Sequence, residues 1–114
     1  MRRHKVYKVR ITVYAMPKRK CAGGFKVGDS WDVVPGKLPV GLCAGAYNSM
    51  ALGLRVMQFG GVQPWDKDKN VTYVSCPDPG RQVVYEIRRL PEKIDFPDDL
   101  GGYLYDPEEH APSK

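Results

Sequence analysis

Apolar and polar positions alternate most regularly near the start of the chain, where Tyr7, Val9, Ile11, Val13 and Ala15 interleave with Lys8, Arg10, Thr12 and Tyr14. A period of two belongs to a strand with one face in a core and the other in water, so this segment predicts a half-buried strand. Residues 16–24 then collect Pro17, the run Lys18, Arg19, Lys20, then Cys21 and Gly23-Gly24, which predicts an exposed loop. Beyond it, Gly28-Asp29 marks a turn with Phe25, Val27, Trp31 and Val33 pointing inward on either side, and a second strand follows. Pro35, Gly36, Pro39 and Gly41 interrupt the chain again. After Cys43, the residues Tyr47, Met50, Ala51, Leu54 and Met57 recur at helical spacing, so residues 44–58 are expected to form the one real helix, ended by Gly60-Gly61 as a glycine C-cap.

The polar turn around Gln63, Pro64 and Trp65 leads into Val71-Thr72-Tyr73-Val74-Ser75, rich in β-branched and aromatic residues and predicted as a third strand. Pro77-Asp78-Pro79-Gly80 forms the next turn, and Val83, Tyr85 and Ile87 alternate with Val84, Glu86 and Arg88, so strands three and four are expected to form a hairpin. The predicted order is β-β-α-β-β. One amphipathic helix and few strands point to an α+β fold, a small curved antiparallel sheet or partly closed barrel with the helix across one face or end. From Pro91 onward Ile94, Phe96, Leu100, Tyr103, Leu104 and Tyr105 lack a clear period among acids, prolines and Gly101-Gly102. The expected organisation is a single domain over residues 1–91 and an acidic, extended C-terminal arm over 92–114, partly ordered, with the last residues flexible.

Several of these segments carry motifs: Phe25-x-Val27-Gly28-Asp29-x-Trp31, then Pro39-x-Gly41-x-Cys43, then Phe59-Gly60-Gly61 with Pro64-Trp65, and Cys76-Pro77-Asp78-Pro79 before Val83-x-Tyr85-x-Ile87. In this order they resemble a family of small three-cysteine proteins of bacteria and archaea, common in anaerobes. The resemblance runs from the first strand to Arg89, leaves the acidic tail as an addition, and implies the identity of the domain without implying a chemistry.

Length and composition narrow the classes. A chain of 114 residues has room for one core. Its 42% hydrophobic and 27% charged residues form an ordinary globular mix. No apolar run approaches the roughly 20 residues that span a bilayer, and the basic start passes directly into alternating residues instead of an apolar signal core. No membrane association and a cytoplasmic location are therefore expected, as is a reducing compartment, because Cys21, Cys43 and Cys76 are odd in number and far apart. The net charge of +5 is uneven. Residues 92–114 hold seven acids against two lysines, a local −5 that leaves +10 for residues 1–91, and eight positive charges fall in the first twenty residues. Such a basic start calls for an anionic partner, or for the chain's own acidic arm lying over it or over a neighbour's.

The three cysteines fall at predicted element ends, where sites are commonly built. Cys43 precedes the helix, where unpaired N–H groups and the positive dipole end favour a thiolate. Cys21, Cys43 and Cys76, with water, Asp78 or His4 as a fourth group, suit zinc or another thiophilic metal if folding gathers them. Cys43, Cys76 and Asp78 are equally candidates for nucleophilic or redox catalysis, and all three cysteines also fit the plain role of small buried hydrophobes. Asp78 and Arg81 are placed to orient an anionic or carbonyl ligand, although Asp before Pro-Gly is ordinary turn chemistry. Trp31 reads as core, whereas Trp65, in a polar turn, is a candidate pocket wall. Isolated glycine pairs without a following phosphate-binding lysine disfavour nucleotide hydrolysis, and no Ser-His-Asp set, paired helical carboxylates or HExxH motif is present.

Three functions remain in play. The first is a small domain binding a metal or small ligand at a cysteine-lined site, as an accessory subunit or a redox-linked enzyme. The second is a nucleic-acid-binding module using Lys8, Arg10, Tyr14, Lys18, Arg19 and Lys20. The third is a structural protein that forms a homo-oligomer, or joins a complex, through the C-terminal arm.

Overall fold

The computed structural model of the chain describes residues 5–17, 24–34, 37, 39, 41–80, 82–95 and 108. Its elements follow the order β1 (Lys5–Ala15), β2 (Ser30–Val33), α1 (Ala44–Gln58), β3 (Val71–Ser75) and β4 (Val84–Asp95). The four strands form one antiparallel sheet in the spatial order β2-β1-β4-β3. The sheet is open, so β2 and β3 are edge strands and the barrel alternative does not apply. Helix α1 packs against β1, β3 and β4. Among the described residues no helix is long and apolar enough to cross a membrane.

The core lies between α1 and one sheet face. Val9, Ile11 and Val13 of β1, Val33 of β2, and Tyr85 and Ile87 of β4 meet Ala46, Met50, Leu54 and Met57 of α1, with Val83 leading into β4. The spacing of the four helical residues places them on one stripe; Met50, Leu54 and Met57 are as the sequence predicts, whereas Ala46 joins them and Tyr47 and Ala51 are half-buried at its margin. Tyr7 and Ala15 do not share the full burial of the row between them, because the β1/β4 register shifts at both ends. Tyr7 faces Lys93 and Val9 faces Arg89, so Leu90, Pro91 and Glu92 bulge opposite Lys8 alone. Proline, with no N–H to contribute to a ladder, suits that position. The sheet therefore continues through Asp95, and the first residues assigned by sequence to the arm complete β4. The remainder of the arm lies outside the described residues, apart from Glu108.

Local chemistry fixes the joints. Between β1 and β2, Asp29 N–H donates to the Lys26 carbonyl at 3.0 Å while the Asp29 carboxylate accepts from Lys26 N–H at 2.8 Å. Gly28 supplies the positive φ of 96° in this turn. Val27, expected inward, projects into solvent at 63% exposure because it occupies the turn tip, whereas Phe25 and Trp31 pack edge to face at 5.1 Å against the core. Helix α1 stops in a Schellman motif: Gly61 N–H donates to Val56 O at 2.8 Å and Gly60 N–H to Met57 O at 3.3 Å. Gly60 takes the left-handed conformation this requires, with φ 84°.

One inward position of β4 is charged. Continuing the row Val83, Tyr85, Ile87, the Arg89 side chain is buried at 7% exposure and donates to Met57 O at 3.1 Å, Gly61 O at 2.9 Å, Asn70 Oδ1 at 3.3 Å and the Lys69 carbonyl. Its guanidinium also stacks over Tyr7 at 5.2 Å. Carbonyls at the negative end of α1 thus receive a cation, the favourable sense for the helix dipole.

Candidate functional site

The sheet face opposite α1 displays Lys8, Arg10, Thr12 and Tyr14 from β1, Asp32 from β2, Val71 and Tyr73 from β3, and Glu86 and Arg88 from β4, all placed there by strand alternation. Antiparallel register sets Arg10 opposite Arg88 and Tyr73 opposite Glu86. The charges are matched. Arg10 Nε donates to Asp32 Oδ1 at 2.7 Å, Lys8 Nζ lies 3.4 Å from Asp32 and 3.7 Å from Glu92, and Arg88 Nε donates to Glu86 Oε1 at 2.9 Å. The hydrogen bond from Arg10 holds the Asp32 carboxyl below its ordinary value, and Glu86 raises Arg88 in the same way. Tyr14 and Tyr73, both about half exposed, meet edge to face at 5.0 Å.

Where this face reaches the β3 edge, a groove of about 490 Å³ opens, lined by Trp65, Asp66, Lys67, Asp68, Val71, Tyr73 and Arg88. Its volume falls within the roughly 300–1,000 Å³ typical of small-ligand sites. The loop from Trp65 to Asn70 builds one wall, and its own hydrogen bonds hold it: Asp66 Oδ1 accepts from Thr72 Oγ1 at 3.1 Å, and Asp68 Oδ1 from Asn70 N–H at 2.8 Å. Trp65 is 72% exposed, more than any core requirement explains. Desolvation, followed by the nearby negative charge of Glu86, raises the Tyr73 phenol above its ordinary value, so the ring remains neutral at pH 7. A flat aromatic wall, a phenol and a guanidinium around one hollow suit a planar ligand bearing an anionic group.

Cys43 and Cys76 lie away from this groove, at the start of α1 and just past the end of β3. Cys43 is the exposed N-cap of α1 and makes no side-chain capping bond. Cys76 is half-buried against the core, its Sγ accepting from Val83 N–H at 3.2 Å and its own N–H donating to Val83 O at 2.9 Å. A Cβ placed on Gly45 would lie 3.8 Å from Cys43 Sγ and 4.0 Å from the ring of Pro77, the residue after Cys76. Asp78 closes the adjoining turn, its Oδ1 accepting from Gly80 N–H at 2.9 Å. Cys21, His4 and Arg81 lie outside the described residues. Among the described residues, no three of His, Cys, Asp or Glu gather in a metal-binding group.

Of the sequence candidates, Trp65 therefore lines the groove, Cys43 is exposed at the helix N-terminus, and Cys76 is half-buried just past the end of β3. Tyr73 and Arg88 were not singled out by sequence reasoning. Both occupy outward positions in their alternating strands, which is a legible signal, but their approach to Trp65 depends on the loop fold and on β3 lying beside β4. No family model, curated protein or solved structure matches the chain.

Proposed function

We propose that the domain is a binding module for a planar ligand with an anionic substituent, received in the groove between Trp65, Tyr73 and Arg88. The observation that carries this reading is the placement of an exposed tryptophan and tyrosine beside an arginine around one hollow of ligand size. Stacking on the rings supplies affinity, and Lys67 with the N–H groups of Arg88 not bound to Glu86 can receive one anionic group, which Asp66 and Asp68 on the same wall confine to the Arg88 side. Trp65 is also the reporter: titration with a nucleoside monophosphate is expected to quench its fluorescence saturably, and Trp65→Leu to abolish the signal. The absence of saturable quenching by any of the common nucleoside monophosphates would count against the reading.

A polyanion is less favoured by the same face, since Asp32, Glu86 and Glu92 offset Lys8, Arg10 and Arg88. Single-stranded nucleic acid binding through β1 predicts strong salt dependence, whereas the groove reading predicts comparable affinity for a mononucleotide and for an oligonucleotide. A second reading keeps the cysteine site expected from the sequence, a thiophilic metal held by Cys21, Cys43 and Cys76 with Asp78 or His4 as a fourth group, and is supported by Cys43 Sγ and Pro77, next to Cys76, both approaching Gly45. Metal content per chain after anaerobic purification, in the wild type and in each Cys→Ser variant, tests it directly.

A further inference from the structure

The two edges of the sheet differ in how they are protected. Edge strands invite pairing with other chains, and proteins blunt them with charge, proline or short length. Strand β2 has only four residues and carries Asp32. Strand β3 has five residues, Val71-Thr72-Tyr73-Val74-Ser75, with neither charge nor proline. Beside it, on the helix side, lies a second groove of about 430 Å³ whose walls include Leu52, Val62 and Trp65, all exposed.

The hydrogen-bonding pattern of this edge is specific. Arg89 N–H donates to Asn70 O and Cys76 N–H to Val83 O, so the even-numbered residues of this segment bond to β4, and Val71, Tyr73 and Ser75 turn their backbone groups outward. Two of these six groups already have partners within the chain: Val71 N–H donates to Asp68 O at 3.2 Å, and Ser75 O accepts from Ser49 Oγ at 2.7 Å. The other four, Tyr73 N–H, Tyr73 C=O, Val71 C=O and Ser75 N–H, have no partner among the described residues.

We infer that this edge pairs with β3 of a second copy of the chain, antiparallel, across a two-fold axis at Tyr73. In that register Tyr73 exchanges both its bonds with Tyr73 of the other copy. Each Ser75 N–H meets the Val71 C=O opposite. The two groups left facing each other, Val71 N–H and Ser75 C=O, are those already satisfied within each chain. Shifting the register by two residues leaves an open donor or acceptor, and an unrelated peptide strand would bring groups opposite Val71 N–H and Ser75 C=O that lack such internal partners. The two sheets then form one eight-stranded sheet, with Tyr73 of each copy adjacent on the open face and the Trp65 end of one edge opposite the Ser49 end of the other. This pairing does not rest on what the groove binds.

Sedimentation velocity of the full chain from about 1 to 300 μM is the test. A monomer–dimer equilibrium is expected. Ser75→Pro deletes an N–H that the isolated chain leaves unpaired, and Tyr73→Lys sets two like charges opposite each other, so both should shift the dimer to monomer at least tenfold in concentration while retaining the wild-type circular dichroism. Arg10→Ala, on the same face but bonded to Asp32 at the opposite edge, should dimerise as the wild type does. Without any substitution, the Tyr73 and Ser75 amides should exchange more slowly at the higher concentration. A chain monomeric throughout the range, or a dimer insensitive to both edge variants with these two amides unprotected, overturns the inference.

Discussion

The guanidinium of Arg89, on the central strand β4, donates to the carbonyl oxygen of Met57 in the last turn of α1 at 3.1 Å. Through it the end of the helix, the Gly60-Gly61 cap and the loop that carries Trp65 are tied to one point of the sheet. Removing the side chain takes a donor from the Gly61 and Lys69 carbonyls and leaves Met57 O with Gly60 N–H alone. Arg89→Ala is expected to cost about 3 kcal/mol, and Arg89→Lys about half of that, since an ammonium retains the charge and loses the fork. Urea unfolding followed by circular dichroism measures both, and equal losses for the two variants would contradict the assignment to the fork geometry.

Two glycines near the helix should respond in opposite senses. Gly60→Ala forces an L side chain into φ 84° and is expected to destabilise by about 1 kcal/mol. At Gly53, within α1, an added Cβ meets Gln63 Nε2 at 3.6 Å, Val74 at 3.7 Å and Ile87 at 3.9 Å, all ordinary contacts. Gly53→Ala should therefore stabilise by about 0.5 kcal/mol through helix propensity. Thermal melts of the pair read the sign of each change.

For the groove, Trp65→Ala and Tyr73→Ala are each expected to weaken ligand binding by about tenfold to a hundredfold, the scale of one lost stacking contact. Trp65 is largely exposed, so its removal should alter stability by less than about 0.5 kcal/mol. Calorimetric titration beside a denaturation curve separates the two effects, and a loss of affinity matched by a loss of fold would assign Trp65 a structural role.

Acid should weaken the sheet through Asp32. Its folded-state value lies below the unfolded one, chiefly because Arg10 hydrogen-bonds to the charged form. The stabilisation is therefore fully present above the ordinary aspartate value near about 4 and is lost as pH falls through the lower folded value. The pair is substantially exposed, so the effect should be small and weakened by salt. Comparing the pH dependence of the melting temperature in the wild type and Asp32→Asn between about pH 2 and 5 measures it; the variant should show the shallower decline.

Cysteine chemistry should follow exposure. Cys43 at the open N-cap is expected to react with iodoacetamide well ahead of Cys76, whose sulfur accepts a backbone N–H and packs on the core. Mass spectrometry of partly alkylated native protein gives the order. Faster modification of Cys76 would mean that the hairpin end opens readily.

Much of the architecture was readable from local pattern. Helical spacing from Tyr47 to Met57 and the Gly60-Gly61 pair placed α1 at residues 44–58, because both signals act within a few residues of the structure they specify. The β3 and β4 pairing followed from a β-branched run and an alternating run on either side of a Pro-Gly turn. What failed locally failed at bulges and tips: Val27 faces solvent and β4 runs through Pro91 to Asp95, since a bulge is set by the partner strand and leaves the hydrophobic period of its own strand ambiguous.

The amino-acid order by itself determined the element types, the inward rows of β1 and β4 and the outward aromatic at Trp65. Only the tertiary structure decided that β3 is an unprotected edge, that Tyr73 and Arg88 converge on Trp65, that Cys43 and Pro77 both approach Gly45, and that Arg89, charged in an apolar row, finds helix carbonyls waiting. Periodicity reports which side of an element is buried. Which elements become neighbours, and in what register, depends on contacts between residues far apart in the chain, and no local pattern encodes those.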